Sequence, residues 1–268
     1  MVARPARRRA VGAARTRDGW LRWYRSWERQ QERLNRNRER RFRAMLDVLA
    51  ANVPARFTAL DLGSGPGSLS VRLLERFPRA RCVALDFDPV IQRIGQGAFG
   101  SFGGRLTWQR ADLGADGWDR ELPARRYDAA VSTTALHWLE RPRLRHLYRA
   151  LARRLRPGGV LVNGDRLPWG EDRPDLAGLA ETVRSLRLAR AGLRTGESWK
   201  LWEAWWERAR ADRELGPLFA DRGERSVAHP RHDDLPLSVH VAALRRAGFR
   251  SVDVVWRDLE DTILLARR

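Results

Sequence analysis

The sequence predicts an α/β fold built on a doubly wound parallel sheet, and three observations support this prediction. Short apolar runs alternate with helical stretches from Thr58 to Gly164, as in strands joined by crossover helices. A glycine-rich turn follows the first apolar run directly. Near the end of the chain, one more helical stretch precedes two apolar runs that fit a closing antiparallel pair.

The chain has 268 residues and a formal net charge of +19, and much of this charge precedes the predicted sheet. Residues 1–46 hold fifteen Arg against four acidic residues, a net charge of +11. Residues 1–17 lack apolar periodicity and are expected to form a disordered basic tail. Lys200 is the sole lysine, so the arginine bias is more typical of GC-rich codon usage than of selection for a cationic surface. A solvated arm and a polyanion-binding arm both stay open.

Aromatic and apolar residues at helical spacings predict one or two amphipathic helices over residues 18–57. Their aromatic side must lie against another part of the protein. One interpretation is that it covers the core. In the other, the aromatic end forms a lid over a ligand, and Trp23 and Tyr24 then contact the substrate.

The predicted core domain covers residues 58–165 and alternates strands with helices. Its strands are expected at Thr58–Leu62, Arg81–Asp86, Arg105–Arg110, Tyr127–Ser132 and Gly159–Asn163. Its helices are expected at Ser68–Phe77, Pro89–Phe99 and Arg141–Leu155. In such sheets ligands bind beyond the carboxyl ends of the strands, which is where candidate site residues are sought.

Residues 166–232 break this alternation and predict a helical insertion after the fifth strand. Its helices are expected at Asp175–Ala191 and Ser198–Arg213, and the second carries Trp199, Trp202, Trp205 and Trp206 at one-turn spacings. These tryptophans either pack between two helices or form an aromatic pocket in which Trp199 contacts a flat acceptor.

Residues 233–268 are expected to complete the core. They supply a helix at Leu237–Ala247 and the apolar runs Ser251–Arg257 and Asp261–Ala266.

The most informative segment is the glycine turn that begins at Gly63. Glycines between a strand and a helix permit a tight turn and close approach of the backbone to a ligand. The spacing is G-x-G-x-G, so the third glycine comes one residue early for the dinucleotide fingerprint, and no Gly-Lys-Ser/Thr follows for a triphosphate. Asp61, two residues before Gly63, would repel a pyrophosphate but pair with an ammonium group. We therefore expect a ligand with a cationic amine.

Acidic residues also end the next two strands. Asp86 lies about twenty residues after the glycines, where a carboxylate usually accepts hydrogen bonds from ribose hydroxyls. Asp88, next to Pro89, is expected to cap the following helix. Asp112 would accept the amine of an adenine while Leu113 packs on its face. An amine, a ribose and an adenine met in this order describe S-adenosylmethionine.

Further stretches agree with this cofactor. Tyr127–Ser132 leads to Ala135–Leu139, Leu155–Leu161 contains Arg-Pro-Gly-Gly, and Leu244–Phe249 closes the pattern. From about Arg43 to Arg268 the chain resembles the class I S-adenosylmethionine-dependent methyltransferases of the small-molecule branch. The His137-Trp138 pair is similar to that of trans-aconitate-methyltransferase-like enzymes.

The resemblance implies a Rossmann-like seven-stranded sheet in the order 3-2-1-4-5-7-6, with strand seven antiparallel and the cofactor over strands one and four. The product would be S-adenosylhomocysteine. The implied cofactor contacts are Asp61, Gly63, Ser64, Gly65, Gly67, Asp86, Phe87, Asp112, Leu113 and Ser132.

The candidate catalytic residue is His137, which follows the fourth strand, where this fold places its acceptor. A histidine with an ordinary pKa near ~6.5 can take a proton from a hydroxyl or an acidic carbon. Trp138 is expected to contact the substrate, and His240 to reach the pocket from the insertion side. In the alternative, His137 orients the loop or contacts the cofactor while Trp138 walls the pocket.

No metal is expected. His229 and His232, with Asp233 and Asp234, resemble metal ligands superficially, but no partner cluster of known spacing accompanies them. Solvent-exposed or substrate-loop histidines are the simpler interpretation. The single Cys82 excludes an internal disulfide framework and a cysteine-rich zinc site.

We expect methyl transfer to O, C or N of a small organic acceptor by a cytoplasmic monomer or homodimer without a membrane partner. One alternative is an RNA methyltransferase that uses the Arg-rich N-terminal arm, and another is a non-catalytic scaffold or regulator that binds the cofactor. Nucleic acid is not favoured, because Ser132-Thr133-Thr134-Ala135 stands where enzymes that methylate base amines carry an Asn/Asp-Pro-Pro-aromatic motif.

Overall fold

The structure is a computed structural model that describes residues 14–190, 197–222 and 235–268. Its described strands form one sheet in the order β3-β2-β1-β4-β5-β7-β6. The strands are β1 (Thr58–Leu62), β2 (Arg81–Asp86), β3 (Leu106–Arg110), β4 (Tyr127–Thr133), β5 (Leu155–Arg166), β6 (Ser251–Asp258) and β7 (Asp261–Arg267). β7 runs antiparallel to β5 and β6, and the first five strands pair in parallel. The predicted fold class and strand order are confirmed.

Helices cover both faces of the sheet and its carboxyl edge. They are α1 (Arg17–Leu34), α2 (Arg38–Ala50), α3 (Ser68–Arg76), α4 (Pro89–Phe99), α5 (Arg141–Arg154), α6 (Pro174–Arg190), α7 (Glu197–Ala211) and α8 (Leu237–Arg246). Two 3₁₀ helices, Leu136–Trp138 and Gly216–Arg222, follow β4 and α7. No described helix is long and apolar enough to cross a membrane.

Alternating strand residues belong to two separate apolar layers, one on each face of the sheet. Leu60, Leu161 and Leu264 belong to the layer that includes buried residues of α5 and α8. Their neighbours Ala59, Val162 and Ile263 belong to the opposite layer, with α2 and α3. The period of two residues places successive side chains on opposite faces, so these strands are apolar throughout, as expected for a sheet covered on both sides.

β5 is longer than the sequence indicated. The apolar run ends at Asn163, but the strand continues to Arg166 because β7 keeps pairing with it, up to Arg166 opposite Asp261. This extension places Asp165 at the carboxyl end of β5, beside the turn that follows β4.

The insertion helix α7 packs against α1, and its buried tryptophans share one apolar cluster with residues of α1 and α4. Its Trp205 and Trp206 are buried with Trp20 and Trp27 of α1, in what we call the aromatic cluster. The rings of Trp27 and Trp205 lie 5.0 Å apart, centroid to centroid, at an angle of 70°. Edge-to-face packing of this kind stabilises a helix pair, and here it fastens the insertion to the N-terminal helices.

Candidate active site

The glycine turn after β1 depends on backbone conformations that only glycine adopts freely. Gly63, Gly65 and Gly67 have φ values of 71°, 56° and 81°. A β-carbon placed on Gly63 would lie 2.4 Å from the Cβ of Ala135, so the turn after β4 lies directly against this glycine. At Gly65 such a carbon would be in ordinary van der Waals contact, with Ile91 Cδ1 at 3.9 Å and Trp27 at 4.0 Å.

Asp61 lies at the carboxyl end of β1 and is fully buried. Its Oδ2 accepts a hydrogen bond of 2.6 Å from the Ser70 hydroxyl, whereas Oδ1 has no hydrogen-bond partner among the described residues. Burial raises the pKa of Asp61 to about 6, because no described cation compensates the charge. A buried carboxylate oxygen without a donor fits a ligand that brings an ammonium group.

Asp86 closes the opposite side of the glycine turn. Its Oδ2 accepts from the Gly65 amide at 2.7 Å, and its Oδ1 accepts from the Asp88 amide at 2.9 Å. Burial, with a smaller contribution from the charge of Asp88, raises the pKa of Asp86 to about 7. Because each carboxylate oxygen carries two lone pairs, Asp86 can still accept from ribose hydroxyls while it holds the turn.

Asp88 caps α4, as the sequence indicated, and also binds the insertion. Its Oδ1 accepts from the Val90 amide at 2.9 Å, and its Oδ2 forms a 2.6 Å ion pair with Arg222 Nε. Both side chains are buried, and the Arg222 guanidinium lies 4.5 Å from the ring of Trp206. The insertion is thus linked to the edge of the sheet that carries Asp86, on the side of the predicted cofactor.

The remaining predicted cofactor contacts occupy varied positions. Asp112 is half-buried, with Oδ1 accepting from the Gly114 amide at 3.0 Å, and Leu113 is buried in the α5 layer. Phe87 is half-buried, and its carbonyl accepts from Arg110 Nε at 3.1 Å. Ser132 is fully buried and donates to the Leu62 carbonyl at 2.8 Å, so this hydroxyl joins β4 to β1.

Ser64 and Gly67 complete the glycine turn. The Ser64 amide donates to the Leu85 carbonyl at 2.8 Å, beside the same bond from Gly63, and joins the turn to β2. Gly67 precedes α3 in a left-handed conformation. A β-carbon there would lie 2.5 Å from the Trp108 ring, so only glycine fits this turn without displacing the ring.

α1 lies across the glycine turn. A β-carbon on Gly65 would be 4.0 Å from Trp27. Glu28 of α1 accepts a 2.6 Å hydrogen bond from Ser68 at the start of α3, and it pairs with Arg38 at 2.9 Å and Arg72 at 2.8 Å. These contacts hold α1 in place, with Trp27 above the turn.

The two aromatic residues expected as a lid pack within this part of the protein. The Trp23 ring contacts Trp205 at 5.7 Å, and the Tyr24 ring contacts Phe99 at 4.7 Å. Burial, with the charge of Glu28, raises the pKa of Tyr24 to about 12, so it stays neutral. Trp199, in α7, stacks on Trp202 at 5.9 Å. These contacts place Trp23, Tyr24 and Trp199 among the helices that cover the cofactor side.

His137 lies in the 3₁₀ helix after β4, in contact with Asp165 at the end of β5. The carboxylate accepts from the His137 amide at 3.2 Å and lies 2.7 Å from the ring Nδ1. Asp165 is fully buried, yet the neighbouring His137 and Arg41 hold its pKa below the usual range. The Trp138 ring lies 5.6 Å from that of His137, and Trp138 is half-buried.

Arg41 of α2 lies on the other side of the same turn. It pairs with Asp261 and donates to the hydroxyls of Thr133 and Thr134, the Thr133 bond being 3.2 Å long. The guanidinium is almost fully buried, so its positive charge acts at short range on Asp165.

His240, which was predicted to reach the pocket from the insertion side, lies in the interior of the protein. It is fully buried in α8, its Nδ1 lies 2.7 Å from the Tyr148 hydroxyl, and burial lowers its pKa to about 4. Its Nε2 and both polar side-chain atoms of Asn163 have no hydrogen-bond partner within the described ranges. These groups lie on the side of the sheet that α5 and α8 cover.

Among the described residues, no group of three or more His, Cys, Asp and Glu side chains could hold a metal ion. His229, His232, Asp233 and Asp234 lie outside the described residues.

Sequence reasoning did not single out Asp165, Arg41 or Arg222 for this site. Asp165 follows the apolar run by only two residues, in the same way that Asp61 and Asp86 end their strands, so the acidic strand end was the available signal. Arg41 and Arg222 are two of many arginines, and nothing in their local sequence marks them as buried.

Comparison with known proteins agrees with this geometry. Residues 59–159 match a family model described as a methyltransferase domain. The trans-aconitate 2-methyltransferase of Azoarcus sp. strain BH72 is 35% identical over 158 residues, which cover 58% of this chain and 57% of that protein. The enzyme of the same name from Streptomyces avermitilis is 33% identical over 171 residues, covering 60% and 58%. This chain therefore matches less than two thirds of the length of these relatives.

The fold is also shared with solved structures. Human N-acetylserotonin methyltransferase, solved in complex with S-adenosylmethionine, superposes with a TM-score of 0.54 at 18% identity, over 94% of this chain and 56% of that chain. The matched domain contains the glycine turn, Asp61 and Asp86. Residues 59–159 therefore carry a methyltransferase domain, and the sheet has the strand order and fold of the class I methyltransferases.

Proposed function

We propose that this protein transfers the methyl group of S-adenosylmethionine to a small organic acceptor. The observation that carries the proposal is the buried Asp61, whose Oδ1 has no hydrogen-bond donor within the described ranges and which lies beside the left-handed glycine turn. The cofactor's ammonium group would supply that donor, and Asp86 would accept from its ribose. The names of the curated relatives support a small organic acceptor.

When bound, the cofactor supplies an electrophilic methyl group on a positively charged sulfur. The protein's own contribution is to hold, align and enclose the reactants, since in-line displacement is sensitive to orientation and to water. Asp61 would hold the ammonium group of the cofactor, and Asp86 would hold its ribose. Trp27 and the aromatic cluster cover the glycine turn from above and exclude water. The turn after β4 brings His137 and Trp138 towards the acceptor.

The RNA alternative has less support in the described part of the chain. Several arginines of the basic N-terminal stretch are used inside the protein. Arg15 pairs with Asp212 at 2.7 Å, Arg17 donates to the Ala98 carbonyl at 3.0 Å, and Arg38 and Arg41 are buried. Arginines that are neutralised or buried in this way do not present a free basic surface to phosphates. A cytoplasmic monomer or homodimer remains part of the proposal.

Isothermal titration calorimetry with S-adenosylhomocysteine and S-adenosylmethionine tests the cofactor site. Gly65→Arg places a large side chain on a backbone with a φ of 56°, beside Ile91 and Trp27, and Asp86→Ala removes the proposed ribose acceptor, so each should abolish or strongly weaken binding. Asp175→Asn, at an exposed carboxylate of α6, is the matched control and should bind like the wild type. Unchanged affinity in both site variants would refute the assignment.

Turnover separates an enzyme from a non-catalytic scaffold. Acceptors are screened for release of S-adenosylhomocysteine, with RNA in the same panel and with residues 1–17 deleted in parallel. Release with a small acceptor, and none with RNA, supports the proposal. Release with RNA that is lost with the arm supports the alternative.

A further inference from the structure

A surface groove lies between α5 and α8, two helices that pack side by side on the same face of the sheet. The groove has a volume of about 310 Å³. The residues that line it include Arg141 and Arg145 of α5 and Ser238, Val239, Ala242 and Arg246 of α8. It therefore combines guanidinium groups from both helices with apolar surface from α8, and the proposed cofactor contacts are not among its residues.

The arginines of this groove have no acidic partner within the described part of the chain. The side chains of Arg141, Arg145 and Arg246 form no ion pair or hydrogen bond with a described residue, and all three residues are exposed. Neither helix has an acidic residue in its first turn. Arg154, at the end of α5 and outside the groove, pairs instead with Asp119 at 2.7 Å. The groove arginines are thus available to an anionic partner.

The spacing of the arginines on α5 is unfavourable for the isolated protein. Arg141, Arg145 and Arg149 follow one another at intervals of four residues, so they lie on one side of the helix, about one turn apart. Like charges at this spacing repel each other and destabilise a helix. An anion bound along the groove would offset this repulsion.

The groove favours an acidic protein helix over other anionic or self-associating partners. A second copy of this chain carries the same net charge of +19 and is repelled. Surfaces that bind single-stranded RNA stack its bases on aromatic side chains, but the one Phe, Tyr or Trp residue of α5 and α8 is Tyr148, which is fully buried. An amphipathic helix with carboxylates at i and i+4 matches the arginine spacing and can place apolar residues on Val239 and Ala242.

We propose that the groove between α5 and α8 docks an acidic amphipathic helix of a partner protein. The carboxylates of that helix pair with the three groove arginines, and its apolar side chains contact Val239 and Ala242. α8 has ten residues, a length of about 15 Å, so the groove holds about three turns of the partner helix. The inference goes beyond the proposed function and does not depend on it.

The docked helix would lie close to the turn after β4. Arg141 begins α5 only three residues after Trp138, so this end of the groove is at the carboxyl edge of the sheet. Exposed ion pairs are screened by salt, and we expect a complex that forms rapidly and weakens as the ionic strength rises.

Fluorescence anisotropy with labelled probes tests the proposal. The first probe is an amphipathic helical peptide about four turns long, built from Glu, Ala and Leu with Glu at i and i+4. A peptide with Gln at every Glu position is the matched neutral probe, and polyuridylate is the RNA probe. We expect the wild type to bind the Glu peptide, to release it as salt is added, and not to bind the Gln peptide.

Two variants change the groove in different ways. Arg141→Gln/Arg145→Gln/Arg246→Gln removes its three positive charges and should weaken binding of the Glu peptide by roughly tenfold or more, because three ion pairs are lost together. Ala242→Trp fills the groove without changing its charge and should weaken binding by a similar factor. Circular dichroism checks the folding of each variant. If the triple variant does not fold, Arg145→Gln and Ala242→Trp decide.

The matched control removes three exposed arginines from another helix. Arg22→Gln/Arg25→Gln/Arg29→Gln lowers the net charge of the protein by the same amount, through exposed residues of α1. Because these residues are outside the groove, the affinity for the Glu peptide should stay within about twofold, or about 0.4 kcal/mol.

Four results would overturn the proposal. The wild type fails to bind the Glu peptide, or the groove and control variants lose affinity equally, or Ala242→Trp binds like the wild type. In the fourth, the groove has a different occupant. Polyuridylate bound more tightly than the Glu peptide and lost in the groove variants would indicate RNA. A wild-type dimer in sedimentation that the groove variants abolish would indicate a second copy of this chain.

Discussion

Two buried aspartates at neighbouring strand ends, Asp61 and Asp165, meet opposite surroundings. Both are fully buried. Within the described part of the chain, Asp61 has one hydroxyl donor and a pKa raised by burial, whereas Asp165 has several donors and a pKa lowered by His137 and Arg41. Neighbouring described groups therefore compensate the free-energy cost of burying the Asp165 carboxylate but do not compensate that of the Asp61 carboxylate. The difference distinguishes a carboxylate that the protein itself stabilises from one that a ligand would complete.

The largest expected effect concerns folding stability and separates the two aspartates directly. Asp165→Asn replaces a buried charged acceptor of several hydrogen bonds from His137 and the Arg166 amide with a neutral amide, and should lower the free energy of unfolding by about 3 kcal/mol. Asp61→Asn relieves an uncompensated charge and should leave it unchanged or slightly raise it. Urea unfolding of the ligand-free protein at pH 7.5 measures both. Equal losses in the two variants would contradict the comparison.

Cofactor affinity should show the reverse order. Asp61→Asn removes the charge that pairs with the cofactor's ammonium group and should weaken binding by roughly tenfold or more, since a charged hydrogen bond contributes about 1.5–3 kcal/mol. Asp165→Asn should leave the affinity within about twofold, because Asp165 ends β5, which β4 separates from the strand that carries Asp61; twofold is only about 0.4 kcal/mol. Calorimetry with S-adenosylhomocysteine gives both values. A weaker complex in Asp165→Asn than in Asp61→Asn would reverse the assignment of the two sites.

The contributions of Asp61 and Asp86 to folding stability should depend on pH in the opposite direction to the contribution of Asp165. For Asp61 and Asp86 the folded pKa values of about 6 and about 7 exceed those of the unfolded chain, so their contribution to stability is present below pH ~4 and is lost as pH rises through these values. For Asp165 the folded pKa is lowered, so its contribution is present above the unfolded pKa and is lost on acidification.

The ligand-free wild type should therefore gain a few degrees in melting temperature between pH 7.5 and pH 5.5 relative to the Asp61→Asn/Asp86→Asn double variant. Differential scanning fluorimetry at matched ionic strength measures the difference. Saturation with S-adenosylhomocysteine should reduce this dependence, because the bound amine favours ionised Asp61. Parallel curves for both proteins would argue against uncompensated carboxylates at the cofactor site.

The smallest effect is expected for Glu28, a buried carboxylate whose charge is compensated by Arg38 and Arg72. Ser68→Ala removes its 2.6 Å hydrogen bond, but Arg38 and Arg72 remain and keep the pKa of Glu28 low. The unfolding free energy should fall by about 1 kcal/mol, with cofactor affinity nearly unchanged. Urea unfolding and calorimetry measure the two quantities. A loss as large as that of Asp165→Asn would show that two arginines do not suffice to compensate a buried acid.

The sequence predicted the strand positions and the glycine turn well because their signals are local, whereas the strand order was implied by the family resemblance. Apolar runs, helix stops and positive-φ glycines depend on neighbouring residues, and Asp88 next to Pro89 indicated its capping role. The surroundings of Asp86 were less predictable. Its two backbone donors, Gly65 and Asp88, come from separate turns that meet only in the folded chain.

His137 shows what the sequence could and could not predict about a candidate catalytic residue. The position after β4 marked it as a candidate. Its partner Asp165, however, is 28 residues away on β5, a strand that continues past the end of the apolar run that predicted it. The tryptophans of α7 left two interpretations open. The structure shows that Trp205 and Trp206 pack in a helix–helix core, and α1 is the partner.

By itself, the sequence determined the fold class and predicted a set of candidate cofactor contacts, and the strand order came from resemblance to a family. The fold class and the candidate contacts follow from periodicity and from glycine, proline and acid positions, which act over a few residues. Only the tertiary structure decided which buried charges are compensated. Arg41, Arg222 and Asp165 acquire their partners through strand pairing and helix packing across long stretches of chain. The pKa values of the site depend on those distances and on the exclusion of water, which no local pattern encodes.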